Sequence, residues 1–519
     1  MMRFLTAFAL LLGLTGCATL PADLPQGEPS HALAPQPAGP LAETEAALRS
    51  RLGPAESGFR LLDSNAEGLR WRLALIDSAQ YSLDLQYYVW WGDETGALLM
   101  KRTIMAADRG VRVRIIVDDL TTILNDADEP KLRDAATAVI SSHPNIEIRL
   151  FNPWRARGLA GRIVETLADL QRTNQRMHNK MMIADNRATI IGGRNIGNEY
   201  FGLHDTFNFR DLDTIGIGPV ARQASEVFDR FWNSEMVLPA GRLGVEITPE
   251  ELQRGYAVIN RRLAEAAVLS HFEAEPQDWR DLLDALAAGM VGGESHVYTD
   301  APEEDGVDHI MPAAILDLLA SAEREVLITN AYIIPNGRIV DWIAGEIDRG
   351  VRYRILTNSL ASHDVPAVNS HYRIWRDNLL RAGVELYEAR PDAAERRRLA
   401  DTPPVESRYM GLHVKAMVID RQRVFIGSMN LDPRSWAINS EMGVVVESPA
   451  LAEKLADVMD ESVRPENAWR LERGEAKKYG VEDEVLWIAG DETLRHQPTR
   501  DGWQLFQDFI FAFFPRSLY

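Results

Sequence analysis

Two stretches decide the reading of this chain: HNKMMIADNRATIIGGRN at residues 178–195 and HVKAMVIDRQRVFIGSMN at residues 413–430. Both carry His-x-Lys, four residues, Asp, six residues, Gly-Gly or Gly-Ser, one residue, and Asn. Chance matching of all six positions somewhere in such a chain is on the order of one in 10⁵ at ordinary residue frequencies. The interiors of HNKMMIAD and HVKAMVID are apolar and lack Gly and Pro, which predicts strands. Side chains two apart on a strand share a face, so His178 and Lys180 project together, as do His413 and Lys415. The Gly192-Gly193 and Gly427-Ser428 pairs read as tight turns that return Asn195 and Asn430 toward the histidines. An imidazole, an ammonium and an amide aimed at one point suit a tetrahedral phosphoryl group. The ring can attack phosphorus or move a proton, while Lys and Asn hold the non-bridging oxygens.

The echo extends outward. DRGVRVRIIVDD from Asp108 matches DRGVRYRILTNS from Asp348, and AQYSLDLQYYVW (79–90) shares its pattern with AEREVLITNAYI (322–333). Both halves run strand, aromatic loop, helix, strand, then the His-x-Lys segment. That is an internally duplicated α/β domain, each copy a sheet flanked by helices. Exchange at a phosphodiester through a covalent intermediate needs a nucleophile on one side and an acid on the other. Two motif copies facing each other across a pseudo-twofold axis supply both. At 519 residues the chain has room for two domains. The expected division is a leader at 1–16, a tether at 17–57, a first domain at 58–240, helices bridging the halves at 241–295 and a second domain at 296–519.

The formal net charge is −20. Nonspecific nucleic-acid binding draws on cationic contacts, so this balance disfavours a nuclease and no nucleic-acid partner is expected. MMRFLTAFALLLGLTGC opens the chain with Arg3 and an apolar run too short to span a bilayer. Leu14-Thr15-Gly16-Cys17 resembles the bacterial lipobox, cut just before the cysteine. Cys17 is the only cysteine, which excludes an intrachain disulfide and leaves the thiol for lipid attachment. Lipoprotein sorting rules, with Ala18 next, imply an anchor in the outer membrane facing the periplasm. Six prolines between Pro21 and Pro40 predict an extended spacer, with the globular body starting near Gly58.

With RMHNK, GGRNIGNEYF and FRDLD in the first half and GSMNLDPRSWAINSEMG in the second, the chain resembles the phospholipase D superfamily. Within it, the likeness is to bacterial cardiolipin synthases of the C type, over roughly residues 59 to 519. The resemblance implies two α/β/α sandwich domains related by pseudo-twofold symmetry with the active site at their interface. It implies the catalytic set His178, Lys180, Asp185, His413, Lys415 and Asp420, in which Asp185 and Asp420 are mainly structural supports. One histidine becomes a phosphohistidine, for which His178 is favoured over His413, and the other serves as acid and then base. Lys180, Lys415, Asn195 and Asn430 are implied to bind phosphoryl oxygens. Asp211 and Glu441 match the acids that hold the histidines' second ring nitrogens, with Asp213 a rival to Asp211. No metal or other cofactor is expected, since the motif supplies its own cations. The implied reaction moves a phosphatidyl group to phosphatidylglycerol or another lipid alcohol, with hydrolysis to phosphatidic acid as the alternative. The implied partners are phospholipids and a membrane, for a monomer holding an internal pseudo-dimer. C-type enzymes resemble proteins assisted by a small partner, which nothing in these residues identifies.

Three further features carry two readings each. Arginines precede both motifs: Arg155, Arg157, Arg162, Arg172 and Arg176, then Arg390, Arg396, Arg397, Arg398 and Arg408. They either line the mouth for anionic headgroups or sit neutralised by nearby acids. QYYVWWGDETG (86–96) and NAYIIPNG (330–337) are either an entrance to the site or sheet-end packing. The tail WQLFQDFIFAFFPRSLY (503–519) reads as a helix packed on the core or as an interfacial segment.

Overall fold

The computed structural model describes residues 26–120, 140–157, 159–242, 248–273, 275–303, 306–474 and 485–514. The leader and Cys17 lie outside them. In the first half, β1 (Ser57–Leu62), β2 (Ser82–Tyr87), β3 (Arg112–Asp118), β4 (Ile146–Phe151), β5 (Met181–Ala184), β6 (Ala188–Gly192), β7 (Phe207–Arg210), β8 (Asp213–Ile217) and β9 (Val237–Pro239) follow in order. All but β7 form a sheet ordered β9-β4-β3-β2-β5-β6-β8-β1. The second half has β10 (Val291–Thr299), a small hairpin β11 (Ala301–Glu303) and β12 (Gly306–Asp308), then β13 (Glu325–Asn330), β14 (Arg352–Asn358) and β15 (Glu385–Ala389). It continues with β16 (Tyr409–Leu412), β17 (Lys415–Ile419), β18 (Arg423–Gly427), β19 (Met442–Glu447), β20 (Ala468–Arg473), β21 (Val485–Ala489) and β22 (Glu492–Leu494). Its sheet runs β10-β19-β18-β17-β13-β14-β15-β20-β21-β22. From β10 to β20 this repeats the first half strand for strand, β21 and β22 extend it, and an antiparallel β1–β10 ladder fuses the two into one mixed sheet of 18 strands.

Local chemistry explains the repeat. Helices Glu94–Asp108 and Gly337–Asp348 each end on Arg-Gly, with Gly110 at φ +97° and Gly350 at φ +99°. A left-handed glycine just past a helix stops it and redirects the chain, here into β3 and β14. The parallel trios β2-β3-β4 and β13-β14-β15 follow. Between the two sheets lies a shared core built on helices Pro219–Trp232 and Pro449–Ser462. There Ile183, Phe228 and Trp232 join one cluster with Val418, Leu451 and Leu455. The two halves therefore form one body. Helix Pro249–Glu265 packs on helix Glu94–Asp108 of the first half.

The spacer expected at 17–57 is, from Gln26 onward, part of that body. Residues 26–39 run as a strap along the first half. Arg149 donates to the Glu28 carbonyl, Arg114 to Ser30, Arg112 to His31, and Asn186 to Leu33. Pro40–Leu52 then forms a helix with Leu41 and Leu48 buried, so globular structure begins well before Gly58. The prolines set an extended path, and carbonyls without helical or sheet partners are met by three arginines of the sheet and by Asn186.

Candidate active site

The histidines stand between the halves, each held by the half that does not carry it. Met177 forms a parallel bridge with Ser440, and His178 N–H donates to the Ser440 carbonyl at 2.9 Å. That ladder puts Glu441 beside His178, whose Nδ1 lies 2.8 Å from Glu441 Oε2. On the other side β7 pairs with β16, and His413 N–H donates to the Arg210 carbonyl at 2.8 Å. Asp211 Oδ2 is then 2.6 Å from His413 Nδ1. The crossing also explains why neither histidine lies within a strand, although the sequence predicts strands beginning at both. β5 starts at Met181, and His413 falls between β16 and β17, because their backbone groups bridge to the opposite half.

With Nδ1 engaged, each ring presents Nε2 to the centre. Lys180 Nζ donates to its own histidine's carbonyl at 2.6 Å and Lys415 Nζ likewise at 2.5 Å, leaving two N–H donors on each. Tyr88 meets His178 edge-on at 5.0 Å, and Tyr200 meets His413 at 5.3 Å. Asn195 Oδ1 accepts from Val89 N–H, and Asn430 Oδ1 is buried without a partner in the structure. Burial, and then each other's charges, dominate the electrostatics. Lys180 is pushed down to about 7 and Lys415 to about 8. His178 is held well below its ordinary value by burial, Lys180, Lys415 and His413. His413 is lowered by burial and Lys415, while Asp211 opposes the shift. Burial lifts Glu441 to about 7 against Lys180 and the hydroxyls of Ser428 and Ser435. Burial disfavours the charged form of both ammonium groups, and a phosphodiester anion placed beside them favours it.

Asp185 and Asp420, grouped by the resemblance with the catalytic residues, stand apart from them. Each lies at the far end of its strand, seven residues beyond its histidine, or roughly 20 Å. Asp185 accepts the N–H groups of Gln80, Tyr81 and Ser82, and Asp420 those of Glu323, Arg324 and Glu325. Both occupy hairpin turns at φ near +54°, where a short polar side chain is tolerated. The tight turns expected of the glycine pairs are there instead. Gly192 and Gly193 give room to the neighbouring strand and its acids: a Cβ on either would come within 2.2 Å of Asp213 or Asp211. Asp213 itself serves Arg72 at 2.9 Å and Arg194 at 3.0 Å in a dry core triad, not a histidine.

Sequence reasoning missed Ser428 and Ser435 on Glu441, and Asp300, which accepts Glu441 N–H at 2.8 Å. It also missed the Tyr332–His363 stack, whose phenol donates to Asp364 at 2.6 Å. Ser428 and Ser435, inside a quoted motif, and Tyr332, inside NAYIIPNG, offered a signal; Asp300, His363 and Asp364 did not. Most of the flanking arginines are structural. Arg157 pairs with Asp119, Arg172 with Glu165, Arg176 with Asp118, Arg390 with Glu492, Arg396 with Asp401 and Arg398 with Glu461. Asp93 caps helix Glu94–Asp108 and receives Asn198 N–H, tying the aromatic loop to the segment after the first motif.

Two histidine–lysine pairs, each oriented by a carboxylate from the other half of a duplicated α/β body, define a phosphodiester-processing enzyme of phospholipase D type. The chain belongs to the PLD-like domain family of cardiolipin synthases, whose model matches residues 73–232 and 315–463. It is 35% identical to cardiolipin synthase C of Escherichia coli (strain K12), over 80% of this chain and 87% of that protein. Cardiolipin synthase B of Shigella flexneri is 25% identical over 82% of this chain and 85% of its own length. Among solved structures, the phosphatidylserine synthase of Haemophilus influenzae Rd KW20 shares the fold at TM-score 0.53 and 14% identity. That match covers 81% of this chain and 90% of the other.

Proposed function

We propose that the protein makes cardiolipin or a related lipid by transferring a phosphatidyl group, through a phosphohistidine, to phosphatidylglycerol or another lipid alcohol. The observation that carries this reading is the crossed pairing of His178 with Glu441 and His413 with Asp211. His178, kept neutral by burial and by the cations around it, is the nucleophile. Its Nε2 attacks phosphorus as the bond to the donor's headgroup oxygen breaks, and His413 delivers a proton to that oxygen. His413 then takes the proton of the acceptor hydroxyl, whose oxygen forms the new P–O bond as the P–N bond breaks. Asp211 supports the cationic ring before the first step and after the second. Lys180, Lys415, Asn195 and Asn430 hold the non-bridging oxygens. The relatives named cardiolipin synthases support lipid donor and acceptor alike. The leader at 1–16, followed by Cys17, supports a lipid-anchored protein on a bacterial membrane, facing the periplasm from the outer membrane.

Full-length protein in mixed micelles of phosphatidylglycerol and phosphatidylethanolamine is expected to yield cardiolipin by mass spectrometry. Phosphatidic acid as sole product would assign the intermediate to water and defeat the synthase reading. The lysines set the pH dependence. In the free enzyme Lys180 loses its proton near pH 7, so kcat/KM is expected to fall above that pH. A bound phosphodiester favours the charged ammonium, so the basic limb of kcat is expected at higher pH. Coincident limbs in the two profiles would mean that Lys180 does not face the substrate.

A further inference from the structure

Two helices are built inside out. In Gly502–Phe511 the polar residues Gln504 and Asp508 are 3% exposed and face the protein. Gln504 donates to the carbonyls of Leu360 and His363, and Asp508 accepts from Asn369 at 2.6 Å. The aromatic face of Trp503, Phe506 and Phe509, continued by Phe513 at 72% exposure, points to solvent. Helix Leu159–Ala168 repeats the device. Its Arg162 is buried against Trp154, Glu165 accepts the N–H groups of Arg155 and Ala156, and Thr166 accepts from Trp154 Nε1. Ile163 and Val164 are exposed, and Leu167 is 80% exposed. Folding in water drives apolar surface inward, and one helix hung by its polar side is unusual.

Both helices lie at the edge of the sheet where the histidines sit. Leu159–Ala168 belongs to the loop leaving β4. It leads through Arg176, stacked on Trp154 at 3.9 Å, directly into His178. Asn174, in the same loop, accepts from Arg434 of the second motif region at 2.7 Å. Gly502–Phe511 rides on the loop leaving β14, over His363, which stacks on the Tyr332 that faces Lys415. One apolar face therefore flanks each histidine.

The strap supplies an independent bearing. Its first described residue, Gln26, donates to the Glu235 carbonyl and accepts from Arg242. Asn152 N–H bonds the adjacent Met236 carbonyl, which places that attachment at the end of β4, on the edge of the site. From Cys17 to Gln26 the chain spans at most roughly 30 Å. Among the described residues no helix is long and apolar enough to cross a membrane. We infer that these two inverted helices form a bilayer-docking surface that seats the active-site edge on the lipid, with the leash attached on that same edge. The inference rests on the lipid-transfer reading above: donor and acceptor enter from the surface on which the helices float.

Docking is read with an environment-sensitive fluorophore on full-length protein carrying Leu167→Cys, Phe513→Cys or Asp348→Cys, the last on the opposite edge. The unsubstituted chain sets the background from Cys17. On phosphatidylglycerol–phosphatidylethanolamine vesicles with brominated acyl chains, labels at 167 and 513 are expected to shift to the blue and be quenched several-fold more than the label at 348. Vesicle-bound protein whose labels at 167 and 513 stay wet, or whose label at 348 is quenched equally, overturns the surface. Transfer in detergent micelles by the unsubstituted protein is scored separately, so a failed docking surface and a failed activity give different results.

Discussion

His178→Ala is expected to lower phosphatidyl transfer by roughly 10⁴-fold or more, with the fold intact by circular dichroism. The residue is both the nucleophile and one end of a bond between the halves. Removing the ring leaves Glu441 among Ser428, Ser435 and the lysines, so the carboxyl keeps partners and the core is not disturbed. His413→Ala is expected to cost roughly 10²- to 10⁴-fold, the scale of a lost acid and base. The two variants should also differ in kind. With a donor whose headgroup leaves without protonation, His413→Ala is expected to accumulate lipid phosphate on His178, detectable as an acid-labile adduct by mass spectrometry. The same adduct on His413 in the His178→Ala protein would reverse the roles. Because the acids cross between halves, Glu441→Ala should reproduce the His178 defect and Asp211→Ala the His413 defect.

Asp213→Ala is expected to destabilise the protein by about 3–5 kcal/mol, measured as a shift of the denaturation midpoint. Asp213 sits between Arg72 and Arg194 with none of the three exposed to water. Arg194 also donates to the Leu62 carbonyl and to the Asp211 carbonyl at 2.7 Å. Removing the carboxylate leaves two guanidinium groups buried against each other. Burial raises the Asp213 carboxyl, but the two arginines outweigh it and hold the group below its ordinary value. A carboxylate depressed in the folded state contributes fully above its unfolded value, about pH 4, and its contribution fades as acid protonates it. The loss on substitution should therefore be largest at neutral pH and shrink in acid. A midpoint unchanged at pH 7 would show that the triad is not the ionic core of the first half.

The repeated motif made the duplicated α/β architecture legible, since glycine after helix and apolar runs before the turns are local signals. His178, Lys180, His413 and Lys415 were legible for the same reason: their spacing is a property of the chain. The roles of their neighbours were less so. Asp185 and Asp420 share the spacing of the motif, yet they cap the entry of another strand. Asp211 and Asp213 are two residues apart in one short segment, and only the packing of Arg72 and Arg194 decides which one is left for a histidine. The proline-rich stretch has the composition of a free linker, but from Gln26 it is claimed by arginines distant in sequence. The aromatic tail has the composition of a core helix, and its polar side is what the body holds.

By itself, then, the sequence determined the duplication, the two histidine–lysine pairs and the class of chemistry, because these depend on residues close together along the chain. Which acid serves which ring, which aspartate stays in the core and which helix face meets water were decided by tertiary structure alone. Those outcomes depend on contacts up to 263 residues apart, as between His178 and Glu441, and no local pattern encodes them.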